Sequence, residues 1–323
     1  MISVIIPTYK RKKSLIRLLK SIINQTLLPT EIIVVTSAYS KNDLQEINNL
    51  HHIIKVLKSS PSVCKQRNIG INYAKYKYIL LCDDDIELPN NYLESLLLHF
   101  NNNKSVKIVT GKELQINEKG KWSEVKIKMT HLNLIYCYIF GISICSDLSK
   151  FKTSKNIIIQ YIINYYKKKG NSISKSGWPI ITEFSYPIMK TSIYGLGCSM
   201  IERKILLENL YNENLDKNGI GDNYEVSMKI NGLENKIDVI RNVPYYHFKD
   251  KINRYENHLS YFKRGMSLYS FLNDLPFFKL KNRIYFIWSL IGNEIIFLKR
   301  KDLKLLKSNH KLLRYSFLKT LKP

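Results

Sequence analysis

Acidic residues are scarce in this chain: its 323 residues carry 26 Asp and Glu against 51 Lys and Arg, a formal charge of +25 at pH 7. Such a surface attracts anions, which leaves nucleotide diphosphates, nucleic acid and anionic membrane faces as partner classes. Lys, Asn and Ile recur throughout, so part of this charge is a general bias of composition. Cysteine is sparse too. Its five residues (64, 82, 137, 145 and 198) form no CxxC pair, so neither a disulfide framework nor a zinc site is indicated. No apolar run reaches the roughly 18 residues of a membrane span; Leu132–Cys145 and Ile284–Leu298 come nearest. A strand pattern starting at Ile2 leaves no room for a secretory leader. A cytoplasmic location is expected, with peripheral binding to the inner face of the membrane left open. No Gly-x-Gly-x-x-Gly follows the first strand, which disfavours a dinucleotide-dependent dehydrogenase. No nucleic-acid reader motif is present either, so nucleic acid is not an expected partner. An apolar content of 45% is that of a folded globular protein.

The most informative stretch runs from Tyr78 to Pro89. An apolar segment, Tyr78–Cys82, ends in three consecutive carboxylates, Asp83, Asp84 and Asp85. Adjacent acids repel one another unless a positive charge stands among them. Directly after a buried strand, that charge is usually a divalent cation, held by one or two carboxylates together with substrate diphosphate oxygens. The alternative is an acidic turn that favours the N-terminus of a following helix, Asn90–Phe100.

The first 110 residues alternate strand and helix patterns. Ile2–Ile6, Glu31–Thr36, His52–Leu57, Lys77–Cys82 and Val106–Thr110 read as strands. Leu15, Leu18, Leu19, Ile22 and Ile23 recur at helical spacing behind Ser14, a candidate N-cap, and Ser62–Ala74 is also helical. This alternation predicts a parallel, doubly wound α/β sheet, in which ligands bind at the carboxyl ends of the strands. Pro7–Arg11 and Asp83–Asp85 fall there. From about Lys112 to Pro187 the pattern is less regular and reads as an insertion that shapes a second substrate's site. Order returns at Gly195–Leu207, Gly219–Ile230 and Ile237–Ile240. The tail from Lys279 to Lys322 carries twelve Lys and Arg against Glu294 and Asp302. It fits either docking on an anionic membrane or packing against the rest of the chain.

Five segments follow in order: Val4-Ile-Ile-Pro-Thr-Tyr-Lys-Arg11, Arg67-Asn-Ile-Gly-Ile71, Asp83–Asp85, Gly197-Cys-Ser-Met200 and Gly221-Asp-Asn-Tyr-Glu225. Together they resemble the nucleotide-diphospho-sugar transferases of glycosyltransferase family 2, over about residues 2 to 250. The resemblance implies a GT-A fold, a single doubly wound mixed sheet flanked by helices, with a mainly helical C-terminal extension. Residues 1–250 are expected to form the transferase domain, with about 112–187 as its acceptor-side insertion and 251–323 as the basic, aromatic-bearing extension. The implied activity is inverting transfer from a nucleotide-diphospho-sugar, UDP or dTDP in preference to GDP. The implied acceptor is a saccharide or lipid-linked hydroxyl in cell-surface polysaccharide or glycolipid synthesis.

Such a transfer needs a cation for the leaving diphosphate, a base for the acceptor hydroxyl, and positioning of both substrates. By the resemblance, Asp83 and Asp85 are the metal pair for Mn2+ or Mg2+, with Asp85 the direct ligand and Asp84 facing the ribose or sugar. His247, in Pro244-Tyr-Tyr-His-Phe, either completes the metal or diphosphate site or is a packed residue. Pro7, Thr8 and Tyr9 belong to the nucleoside loop, and Tyr9 offers a stacking face. Arg11 and Arg67 are candidate diphosphate forks, although Arg11 also sits in the basic run Lys10–Lys13. Trp178 is a candidate acceptor platform or a core residue. Two departures from the family pattern stand out. Val34-Val-Thr-Ser37 carries hydroxyls where aspartates are usual, and Asn223 stands where the general base is expected. An amide takes up no proton at neutral pH, so Asp222 becomes the first candidate base and Glu225 the second. The alternative to an enzyme is a non-catalytic relative that binds nucleotide sugar and assists a partner transferase.

Overall fold

A computed structural model describes residues 1–321 except 185, 216, 217, 251 and 253. The strands are β1 (Ile2–Thr8), β2 (Glu31–Thr36), β3 (Ile54–Lys58), β4 (Tyr78–Cys82), β5 (Ile86–Glu87), β6 (Ile108–Ile116) and β7 (Trp122–Ser123), then β8 (Ile144–Cys145), β9 (Ser172–Ile173), β10 (Pro179–Ile181), β11 (Ile188–Thr191), β12 (Cys198–Glu202) and β13 (Ile237–His247). The helices are α1 (Lys12–Ile23), α2 (Lys41–Asn48), α3 (Val63–Tyr73), α4 (Tyr92–Asn102), α5 (His131–Phe140) and α6 (Ile157–Lys169), then α7 (Arg203–Glu208), α8 (Asp222–Asn231), α9 (Asn257–Asp274), α10 (Leu280–Lys299) and α11 (Leu303–Leu321).

The main sheet runs β11-β13-β6-β12-β4-β1-β2-β3, with β5 and β7 paired at its margin. β1, β2, β3 and β4 are mutually parallel where they pair, whereas β12 lies antiparallel between β4 and β6. The sheet is therefore mixed, as the resemblance implies, and not wholly parallel as the alternation alone predicts. Strand residues alternate between its two faces. Val4 and Ile6 of β1 join Leu15, Leu18 and Ile22 of α1 in one core, while Ile5 joins Ile71 of α3, Leu206 of α7 and Val226 of α8 in the other. Burial on both faces explains why β1, β2 and β4 read as continuous apolar runs. Helix α3 lies close on β1: a Cβ at Gly70 would run into the Ile5 side chain.

Helix α1 corrects one expectation. It begins at Lys12 with Arg11 at the N-cap and no side-chain cap bond. Ser14 lies within the first turn and instead donates a hydrogen bond to Asp250 Oδ2 at 2.8 Å. Helix α3, by contrast, has a side-chain cap, Ser62 accepting from the Lys65 N–H at its start. Strand β6 continues past Thr110 to Ile116, running parallel to β13. β13 changes register between Ile240 and Pro244 before reaching His247.

The irregular middle forms α5, α6 and a small sheet, β8-β10-β9, around its own core of Leu134, Ile159, Ile162 and Tyr166. Helices α9, α10 and α11 pack on one another and on Trp178 and Met228, giving a third apolar cluster. The C-terminal region is thus helical as expected, though residue 251, at the expected start of the extension, and Lys322 lie outside the described residues. None of the five cysteines forms a disulfide. Among the described residues no helix is long and apolar enough to cross a membrane.

Candidate active site

Strands β1 and β4 run side by side and end together, so the loop after β1 meets the acids after β4. Thr8 Oγ1 donates to Asp84 Oδ2 at 2.8 Å, and Arg11 Nη1 to Asp84 Oδ1 at 3.0 Å. Asp84 is almost fully buried, and burial pushes its carboxyl up to about 6 against the pull of Arg11. Gln66 of α3 ties the neighbouring strand ends together by donating to the carbonyls of Thr8 and Val35. Pro7, within β1, pairs with Val35, and Tyr9 follows the strand half-buried. At the end of β2 the hydroxyls of Thr36 and Ser37 are buried with no hydrogen-bond partner among the described residues.

Arg67 is the hub of a second group. Carried on α3, it is 4% exposed and bridges Asp83, at 2.7 Å from Oδ1, to Asp222 on α8. Gly197 lets Asp83 in, because a Cβ there would collide with Asp83 Oδ2, and its carbonyl accepts the Asp83 N–H at 2.7 Å. Gly221, at φ +99°, supplies the left-handed turn that opens α8 directly at Asp222. Asp222 is buried, and burial pushes it up to about 6 even with the Arg67 guanidinium opposing the shift. Its Oδ1 accepts the Asn223 N–H at 2.6 Å and its Oδ2 faces Arg67.

Asp85 anchors a third group, in which two arginines, a histidine and a backbone N–H meet its carboxylate. His247 Nε2 lies 3.2 Å from Oδ1, while Arg254 at 2.7 Å, Arg11 at 3.5 Å and the Asp250 N–H at 2.9 Å converge on Oδ2. Burial alone would raise the Asp85 carboxyl, but His247, Arg254 and Arg11 hold it well below the usual carboxylate range. His247 also meets Glu113 of β6 through Nδ1 at 2.6 Å. Burial disfavours the imidazolium, yet the two carboxylates raise His247 to about 10. Arg11 reaches the same segment from the other side, donating to the carbonyl of Ile252.

The structure thus gathers Thr8, Arg11, Arg67, Asp83, Asp84, Asp85, Asp222 and His247 around the ends of β1, β4 and β13. Two residues in this constellation were not singled out from the sequence, Glu113 and Arg254. Glu113 interrupts the apolar pattern of β6, but only the parallel pairing with β13 places it beside His247. Of its two readings Trp178 takes the core one: it is 5% exposed, stacks near Tyr261 and Phe286, and donates from Nε1 to Ser289 Oγ at 2.8 Å. With its ring enclosed by the helical extension, it presents no face to a sugar. Asn223 is half-buried, with its carboxamide oxygen 3.4 Å from the Tyr211 hydroxyl. Glu225, one turn after Asp222, pairs through Oε1 with Lys229 at 2.9 Å, and its buried Oε2 has no partner among the described residues.

Asp83, Asp85 and His247 offer the donor types that a hard cation takes with diphosphate oxygens. As arranged they do not fit one. Asp85 is saturated by positive groups, His247 is held as an imidazolium, and no group of three His, Cys, Asp or Glu is poised for a metal among the described residues.

Residues 3–139 match the family model described as Glycosyl transferase family 2, so the resemblance read from the motifs holds over that stretch. An uncharacterised glycosyltransferase of Bacillus subtilis (strain 168), YwdF, is 36% identical over 100 residues, 29% of this chain and 36% of that protein. The poly(ribitol-phosphate) β-N-acetylglucosaminyltransferase TarP of Staphylococcus aureus (strain N315) is 28% identical over 165 residues, 49% of this chain and 50% of that protein. The chain therefore spans half or less of the length of these two relatives. Among solved structures, S. aureus TarS residues 1–349 in complex with UDP-GlcNAc superposes with a TM-score of 0.54 at 15% identity, covering 90% of this chain and 72% of that one. GalNAc-T7 with UDP, GalNAc and Mn2+ gives 0.55 at 16% identity, covering 97% and 54%. The fold is the GT-A arrangement.

Proposed function

We propose that this chain, a family 2 glycosyltransferase over residues 3–139, moves a sugar from a UDP- or dTDP-sugar to an acceptor hydroxyl with inversion. The acceptor belongs to a saccharide or lipid-linked chain of the cell surface, and the enzyme works in the cytoplasm at the inner face of the membrane. The observation that carries the reading is the convergence of three arginines and three consecutive aspartates at the carboxyl ends of β1 and β4. Ligands of doubly wound sheets bind there. UDP or UDP-GlcNAc in TarS and UDP with Mn2+ in GalNAc-T7 are what the structural neighbours hold.

In this reading the unpartnered hydroxyls of Thr36 and Ser37 meet the nucleobase edge beside Tyr9. Arg11 and Arg67 turn from their carboxylates to the incoming diphosphate, an exchange of one anion for another. The acceptor oxygen attacks the anomeric carbon, and the bond to the diphosphate oxygen breaks. The nucleoside diphosphate leaves with that electron pair, and the hydroxyl proton passes to a carboxylate. Asp222 is the first choice for that carboxylate, because release of Arg67 to the diphosphate frees its Oδ2 where the acceptor side begins. Glu225, with an unpartnered Oε2, is the second.

A second reading keeps the nucleotide site and drops the chemistry. It is favoured by Asn223 at the expected base position and by the Arg67 contact that neutralises Asp222. Thermal shift with UDP-, dTDP- and GDP-sugars, with Mn2+ and with chelator, tests the donor site. Product formation by Asp222→Asn and Glu225→Gln then separates the readings. Loss of turnover in Asp222→Asn alone supports the proposal, loss in Glu225→Gln alone moves the base, and donor binding without turnover in the parent chain selects the non-catalytic reading.

A further inference from the structure

Helix α10 has two unlike faces. Phe286, Ser289, Leu290, Asn293 and Phe297 are buried against the neighbouring helices. On the other side Ile284, Trp288, Ile291, Ile295 and Leu298 are all at least 37% exposed. These five recur at alternating steps of four and three residues, the spacing that aligns side chains along one side of a helix. At a rise of 1.5 Å per residue they form a stripe about 21 Å long. The stripe continues sideways. Trp288 donates from Nε1 to the carbonyl of exposed Ile139 and stacks with Phe140 of α5, and α5 in turn contacts α6 through Tyr138 and exposed Tyr161.

Charge is distributed to match. Residues 125–169, which contain α5 and α6, hold eight Lys and one acid, Asp147. Residues 279–322 hold twelve Lys and Arg against Glu294 and Asp302. Neither of those two acids joins the stripe: Glu294 turns to Asn309 on α11, and Asp302 caps α11 through the Leu305 N–H. An apolar stripe on basic segments, with a tryptophan one turn from its start, has the composition of an amphipathic helix lying in a lipid interface.

We propose that the exposed face of α10, extended by α5 and α6, docks on an anionic bilayer surface, with Trp288 and the isoleucines entering the acyl boundary and the surrounding lysines contacting lipid phosphates. A second copy of this chain is the weaker occupant, because apposing two such faces brings like basic surrounds together without counter-charge. A bilayer supplies the missing anions.

The test uses the whole chain and reads binding, not turnover, so its outcome is independent of the sugar-transfer reading. Flotation is measured with vesicles of about one-third phosphatidylglycerol in phosphatidylcholine, and with phosphatidylcholine alone, at roughly 0.15 M salt. The expected result is partitioning to the anionic vesicles only, with a blue shift of tryptophan emission. Ile291→Ser combined with Ile295→Ser should cut the partition coefficient at least about tenfold and leave the melting temperature and nucleotide-induced thermal shift unchanged. Flotation that ignores these two substitutions, or no flotation of the parent chain, overturns the proposal. So does a dimer, seen by light scattering, that the same two substitutions dissolve, since the face would then belong to a second copy.

Discussion

Replacing Arg67 by Met should expose how the buried acid at the start of α8 is tolerated. Arg67 and Asp222 side chains are 5% and 8% exposed and touch directly. Removing one partner of such a pair leaves an uncompensated buried charge, which typically costs about 3–5 kcal/mol. Asp83 also loses its contact, but it is 31% exposed and water replaces the guanidinium there. The loss should depend on pH in a set direction. Asp222 is already raised from 3.8 to about 6 with Arg67 present, and removing the positive charge raises it further. A carboxyl whose folded value exceeds its unfolded one takes up its proton preferentially in the folded state. Stability tied to that proton is present below about pH 4 and lost as pH rises through the folded value, at most about 1.4 kcal/mol per pH unit. Urea unfolding of the parent and Arg67→Met chains at pH 5 and pH 8 reads this directly. The variant should be the more destabilised at pH 8, by about 2 kcal/mol beyond its deficit at pH 5. Adding Asp222→Asn should recover most of the pH 8 loss. An equal deficit at both pH values, or no recovery in the double variant, would refute the account of Asp222 as a charge held in place by Arg67.

Three further outcomes are expected. Trp178→Ala should cost about 3–5 kcal/mol through the cavity it leaves in the α9–α11 core, whereas Trp178→Phe should leave the acceptor KM within about twofold; an acceptor KM that rises with stability intact would return Trp178 to the acceptor site. The His247 ion pairs should contribute stability that is fully present below about pH 6.5 and lost as pH rises through about 10, because His247 is raised between those values. Urea midpoints of the parent and His247→Gln chains should therefore converge with rising pH, and a gap that stays constant would contradict the pairing. Gly197→Ala should displace the Asp83 carboxylate, abolishing the nucleotide-induced thermal shift while moving the unliganded melting temperature by less than about 3 °C; an unchanged shift would show that Asp83 takes no part in donor binding.

Where one element fixes its own surroundings, the sequence was legible. β1, β2 and β4 are buried on both faces, so their apolar runs could be read without knowing their neighbours. The acids after β4 were legible for the same reason, since three adjacent carboxylates are unusual wherever they fall. Ser14 shows the limit: a good capping residue is passed over when Arg11, one turn earlier, is drawn toward Asp84 and the helix starts behind it. Arg254 was invisible because it follows β13 in a stretch of ordinary polar residues, and only the closure of that segment on Asp85 gives it meaning. Trp178 was ambiguous for a related reason. Its ring is enclosed by helices far along the chain, and no local pattern records what will cover a side chain.

The register change in β13 sets the phase of everything beyond it. Between the stretch paired with β11 and the stretch paired with β5, no strand pairs with that edge of β13 among the described residues, and Pro244, which has no N–H to donate, falls within that gap. The strand before the change is locked on both sides and the strand after it carries His247. Side chains alternate with a period of two, so a single-residue deletion from 241–243 that is carried into the stretch paired with β6 and β5 would turn His247 to the opposite face. The imidazole would leave Asp85 and Glu113 with no acid, arginine or histidine altered. A two-residue change would return it. Chain length over three positions is thus as much a determinant of this pocket as the identity of any charged group in it.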